Sequence, residues 1–253
     1  MPVRTAGRFR RGLCAATLGA ALAGPAAAQT VDLPTARALW DRAVAAVAAG
    51  AAYKPGRMTG LMEELDAQGR TTGSERSAMR LSYPNGPDDP AVFIESYVKD
   101  GKDITAERRA QAAKPGGGSA GGPPAGADAD DWSATPLDPE RQPGITLLAA
   151  RRETADVVAI DYEQRAGKQI FIGTVRLAAE TAAPLDAAYA FKKPPIYLER
   201  FTARLVYAAP AAGGAVWVEA MEYAVTATLL VVKKRMRGEL RFSDYLPVSA
   251  APD

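Results

Sequence analysis

Gln169-Ile170-Phe171-Ile172-Gly173-Thr174-Val175-Arg176-Leu177-Ala178 decides the fold. Phe171, Gly173, Val175 and Leu177 alternate with Ile172, Thr174 and Arg176, a period of two that turns one set toward a core and the other toward water. The same alternation returns where Phe201, Ala203, Leu205 and Tyr207 interleave with Thr202, Arg204 and Val206. Outward from these two stretches the sequence predicts strands over 146–152, 157–165, 169–178, 186–191, 196–208 and 215–226, with a last strand ending near Tyr245. Turns at Ala166-Gly167-Lys168 and at 210–214 separate them, so neighbours run antiparallel.

On the N-terminal side, Asp32 and Pro34 open a helix in which Ala36, Leu39, Trp40, Ala43, Val44 and Val47 recur at helical spacing until Gly50. Then the period becomes two again: Met79, Leu81 and Tyr83 alternate with Arg80 and Ser82, after a turn at 66–69. A strand over 92–98 leads through Asp100-Gly101 into a short polar helix over 105–113. The fold expected from the residues is mainly β, a curved antiparallel sheet of about ten strands wrapped around an N-terminal helix. Residues 115–128 are Gly, Pro and Ala with one Ser and one Asp, which cannot bury enough apolar surface to offset ordering. They are expected to be a disordered insertion in a single domain over 29–253.

The chain has 253 residues and no histidine, which removes Ser-His-Asp and Cys-His catalysis, His-ligated zinc and histidine pH switches together. Arg4, Arg8, Arg10 and Arg11, an apolar stretch over 13–23 and Pro25-Ala26-Ala27-Ala28 predict a signal peptide over 1–28, cleaved before Gln29. Cys14, the one cysteine, lacks the small and aliphatic residues of a lipobox before it. Residues 1–28 hold four arginines and no acid, so the remainder carries a net charge of −2. The expected product is periplasmic and soluble, with no electrostatic reason to bind nucleic acid.

Four motifs carry a family resemblance: Lys99-Asp100-Gly101-Lys102-Asp103-Ile104-Thr105-Ala106-Glu107-Arg108-Arg109, then Gly173-Thr174-Val175-Arg176-Leu177 with Glu180-Thr181, then Val216-Trp217, and Phe242-Ser243-Asp244-Tyr245. In order and spacing, from about Met58 to Tyr245, the chain resembles the LolA/LolB-like outer-membrane lipoprotein-sorting superfamily, in one poorly characterised bacterial branch. It departs from that branch in its shortened charged helix, in Val175 and Leu177 where a Trp and an aliphatic are usual, and in Glu219 where Pro is common. The resemblance implies a half-open β-barrel closed by a helical lid, an apolar concavity for acyl chains or lipidated partners, and no catalytic residues; no cofactor or metal is expected.

The candidates for that concavity are Met79, Leu81, Phe171, Val175, Phe201, Leu205, Tyr207, Trp217, Glu219, Met221 and Tyr223. Met58 and Met62 join Met79 and Met221 as thioethers able to fit an irregular apolar ligand. If the strands holding Leu205 and Met221 pair with apolar faces together, Tyr207 falls opposite Trp217, Leu205 opposite Glu219 and Ala203 opposite Met221. A slip by one sets Arg204 opposite Glu219 instead. Leu229, Leu230, Val231 and Val232, followed by Lys233, Lys234 and Arg235, are candidates for contact with an envelope membrane. Ser96-Tyr97-Val98-Lys99 has the S-x-x-K spacing of serine enzymes but lies in a strand, which throws Ser96 and Lys99 onto opposite faces. The expected function is a non-enzymatic periplasmic carrier of a lipid or lipidated polypeptide. The alternative is an envelope-associated structural or interaction module with a filled core.

Overall fold

The computed structural model describes residues 29–86, 89–114, 135–208, 214–229 and 232–248, without the side chains of Leu229 and Val232. The signal peptide and the Gly/Pro-rich insertion lie outside the described residues. After β1 (Gln29–Thr30) comes α1 (Leu33–Gly50). Asp32 caps α1, its two carboxylate oxygens accepting from the Thr35 amide and hydroxyl at 2.8 Å each. Ala36, Leu39, Trp40 and Ala43 form its buried stripe.

Three strands follow: β2 (Tyr53–Leu65), β3 (Thr71–Ser82) and β4 (Ala91–Lys99). The two-residue β5 (Lys102–Asp103) leads into α2 (Thr105–Ala112). The rest is a meander of β6 (Ile145–Thr154), β7 (Val157–Ala166), β8 (Gln169–Ala178), β9 (Pro184–Phe191), β10 (Leu198–Tyr207), β11 (Val218–Leu229) and β12 (Val232–Pro247). The twelve strands among the described residues form one open, curved antiparallel sheet in the order β1-β6-β7-β8-β9-β10-β11-β12-β2-β3-β4-β5. The count exceeds the expected ten because the two short edge strands, β1 and β5, were not foreseen. Pro55, Gly56 and Gly60 interrupt the pattern of β2, yet it pairs along most of its length with β12.

The face on which α1 packs is here called inner. Its core joins the α1 stripe to Ile160 and Tyr162 of β7, Phe171 and Val175 of β8, Tyr189 of β9 and Phe201 of β10. An aromatic ladder crosses it, with Phe171 to Phe191 at 4.6 Å and Phe191 to Phe201 at 5.3 Å. Trp40 lies 5.6 Å from Tyr162 and donates its indole N–H to Gln142 at 2.8 Å. The outer face is polar, as the alternation predicts. Arg204 reaches Asp186 at 3.0 Å, Arg176 reaches Glu153 at 2.8 Å and Arg151 reaches Asp161 at 2.7 Å.

Two glycines make room for tyrosine rings. A Cβ on Gly173 would come within 2.8 Å of the ring of Tyr162, its cross-strand partner, and one on Gly238 within 2.3 Å of the ring of Tyr223. The Tyr162 hydroxyl is thereby buried without a hydrogen-bond partner among the described residues, and burial pushes its phenol well above the ordinary tyrosine range. An unpaired buried hydroxyl carries a desolvation cost. Tyr162→Phe is therefore expected to raise stability by about 1 kcal/mol in urea titration. A loss of similar size would mean that the hydroxyl is satisfied in solution.

Candidate functional site

The register of β10 against β11 corrects both sequence expectations. Leu205 lies opposite Met221, Ala203 opposite Tyr223 and Arg204 opposite Glu222, a shift of two residues from the first expectation. Such a shift leaves Ala203, Leu205, Met221 and Tyr223 on their expected face, since strand periodicity is two. Between Val206 opposite Ala220 and Tyr207 opposite Val218 one residue of β11 is left over, and it is Glu219. The irregularity turns its carboxylate to solvent, so it faces neither Leu205 nor Arg204. Arg204 pairs with Glu222 at 3.6 Å instead.

The other candidates separate into groups. Phe171, Val175, Phe201, Leu205 and Tyr207 are buried in the core with α1. Met79 and Leu81 are buried on the same face of β3, while Met221 and Tyr223 are half-buried on β11. Trp217 precedes β11 and stacks on Tyr245 at 4.9 Å, with the Tyr53 ring 5.5 Å away. It belongs to an aromatic cluster near the end of β12. Burial pushes the Tyr245 phenol up, and its hydroxyl donates to the Val218 carbonyl.

Among the membrane candidates, Leu230 and Val231 lie outside the described residues, and the backbones of Leu229 and Val232 pair with each other. Lys233 pairs with Glu199 and Lys234 with Glu64 at 3.5 Å, while Arg235 donates to the carbonyls of Asp66 and Ala67.

Beyond α1 the inner face continues over β11, β12, β2 and β3 as a strip of thioethers. Met58 lies opposite Met79 on one side and Phe242 on the other. Met62 is opposite Gly238, Met221 opposite Leu240, and Met236 opposite Val225. All these pairs share one face, and Met58, Met62, Met221 and Met236 are each only partly buried. Met236, Leu240 and Phe242 were not among the expected site residues. Their spacing, Met236-x-Gly238-x-Leu240-x-Phe242, carries the period-two signal that finds them.

A polar cluster ends the strip next to Met62. Glu75, opposite Met62, accepts from Lys99 Nζ at 2.8 Å and from the Tyr97 hydroxyl at 2.5 Å. Arg108 of α2 lies 4.5 Å above the Tyr97 ring. Burial opposes ionisation of Glu75, but the hydrogen bonds from Lys99 and Tyr97 outweigh it and hold the carboxyl below the usual range. Met62, Glu64, Ser74, Glu75 and Lys99 border a small cavity of about 130 Å³ there. A larger hollow of about 460 Å³ lies on the outer face, where Arg204 and Arg237 are already paired with acids. The inner strip can thus bury a row of methylenes and hold a polar group at its Glu75 end. Among the described residues no group of three or more acidic, Cys or His side chains is placed to hold a metal ion. No family model, curated protein or solved structure matches this chain.

Proposed function

We propose that this protein is a non-enzymatic carrier or binding protein of the periplasm, which takes a lipid or the acyl chains of a lipidated polypeptide on its inner face. The observation that supports it is the half-buried strip of Met58, Met62, Met221 and Met236, which extends the core past α1. Thioether side chains adapt to ligands of irregular shape, and each methylene buried against them contributes about 0.8 kcal/mol. The Glu75, Tyr97 and Lys99 cluster suits the polar end of such a ligand. The resemblance to lipoprotein-sorting proteins, with their half-open barrel and lid, agrees with this reading.

Organic extraction of the purified protein followed by lipid mass spectrometry is expected to return acyl lipids. Met62→Glu places a charge in the strip and is expected to weaken binding of a fluorescent fatty acid at least about tenfold, with the fold retained by circular dichroism. Absence of lipid together with unchanged probe binding would favour the second reading, an envelope-associated interaction module. The observation on its side is the solid packing of Phe171, Val175 and Leu205 under α1.

A further inference from the structure

One end of the sheet gathers lysines around a bare apolar tip. Between β9 and β10 the chain runs Lys192-Lys193-Pro194-Pro195-Ile196-Tyr197. The Lys192 amide donates to the Ile170 carbonyl at 2.8 Å, and the Thr228 amide donates to the Tyr197 carbonyl at 2.9 Å. These bonds set the loop between the β7–β8 turn and the β11–β12 hairpin. The two prolines restrict its backbone. Ile196 is 103% exposed and Tyr197 43%, so neither contributes its full apolar surface to the fold.

The charges around this tip are mostly of one sign. Lys168, Lys192, Lys193, Lys233 and Lys234 all lie at this end of the sheet. The carboxylates among them are spoken for: Glu163 by Lys192 at 2.5 Å, Glu199 by Lys233, and Glu64 by Lys234 at 3.5 Å. Lys168 and Lys193 are exposed and make no ion pair among the described residues. At the opposite end the charges are mixed: the β6–β7 turn carries Asp156 with Arg152, which donates to the Ala155 carbonyl, and the β8–β9 turn carries Glu180, whose carbonyl accepts from Arg42.

We propose that the β9–β10 loop and the lysines beside it dock the protein on the surface of an anionic phospholipid bilayer. Ile196 enters the headgroup boundary, Tyr197 lies at its level, and Lys168 and Lys193 meet lipid phosphates. Both halves of the observation are needed to choose this partner. A nucleic acid offers phosphates but no apolar medium for a projecting isoleucine, whereas a bilayer surface offers both. Docking is independent of the acyl-binding strip on the inner face, and the two are tested by different probes.

The test is co-sedimentation of the full chain with vesicles of phosphatidylethanolamine and phosphatidylglycerol, or of phosphatidylcholine alone. Comparing variants within the full chain cancels any contribution of the N-terminal segment. The parent is expected to favour the anionic vesicles and to be largely released between about 50 mM and about 500 mM salt. Ile196→Ser, and Lys168→Ser with Lys193→Ser, are each expected to weaken that binding about tenfold, while Glu180→Lys at the far end does not. Fatty-acid probe binding should be the same in all of them. Independently, Ile196→Trp is expected to give a blue-shifted emission increment over the parent on addition of anionic vesicles. Variants that bind like the parent, equal binding to both vesicle types, or no emission increment from Ile196→Trp would each overturn the proposal.

Discussion

Trp40→Ala is expected to lower the unfolding free energy by about 4 kcal/mol, the largest loss of any single truncation proposed for this chain. Trp40 is fully buried and is the largest side chain by which α1 enters the core. Its ring packs on Tyr162, and its removal leaves a cavity that the sheet, held by ladder hydrogen bonds, closes only in part. The Gln142 side-chain carbonyl also loses its indole donor, although the Gln142 amide still holds the carbonyls of Pro136 and Asp138 at 2.8 and 2.7 Å. For a domain of this size the change corresponds to a fall of roughly 12 °C in melting temperature. Trp40→Phe should recover part of the packing but not the hydrogen bond. A loss below about 1 kcal/mol for Trp40→Ala would mean that α1 does not pack against the sheet in solution.

Gly50→Ala is expected to be destabilising by about 3 kcal/mol, although alanine in place of glycine in a helix ordinarily gains up to about 1 kcal/mol. The sign is reversed by one contact. A Cβ at position 50 would stand 2.1 Å from the Val216 carbonyl oxygen and 2.9 Å from its carbon. That carbonyl cannot swing aside freely, because the Val216 amide donates to Ala46 of α1 at 3.1 Å and ties the segment before β11 to the helix. Relief requires α1 to shift as a body away from Val216, disturbing the Trp40 contacts as well. Chemical denaturation of Gly50→Ala beside the parent measures it, and a stabilised variant would show that α1 and the Val216 segment are not in close contact.

Much of this architecture is legible locally. The alternation in β8 and β10 assigns each side chain to a face, and the faces follow the expectation: Phe171, Val175 and Leu205 inward, Arg176 and Arg204 outward. Asp32, Pro34 and the spacing of Ala36, Leu39, Trp40 and Ala43 determine where α1 begins and which stripe it buries, since capping and helical period act within a few residues. Gly167 likewise marks the β7–β8 turn, with φ of 55°.

How far each strand slides and which distant strands meet is set by packing across the sheet. A period-two pattern is unchanged by a slide of two residues, so nothing local distinguishes Leu205 opposite Glu219 from Leu205 opposite Met221. The extra residue at Glu219 settles it by letting a carboxylate leave the apolar face while the ladder continues. The methionine strip depends on the same level of organisation. Met58 and Phe242 are neighbours because β2 pairs with β12, a contact between segments far apart in the chain, whose closure entropy is offset only when the whole sheet assembles. Faces, caps and turns are readable locally because interactions within a few residues fix them. Register and the site were left to packing across the sheet, because the burial that selects them is shared among strands and belongs to no one segment.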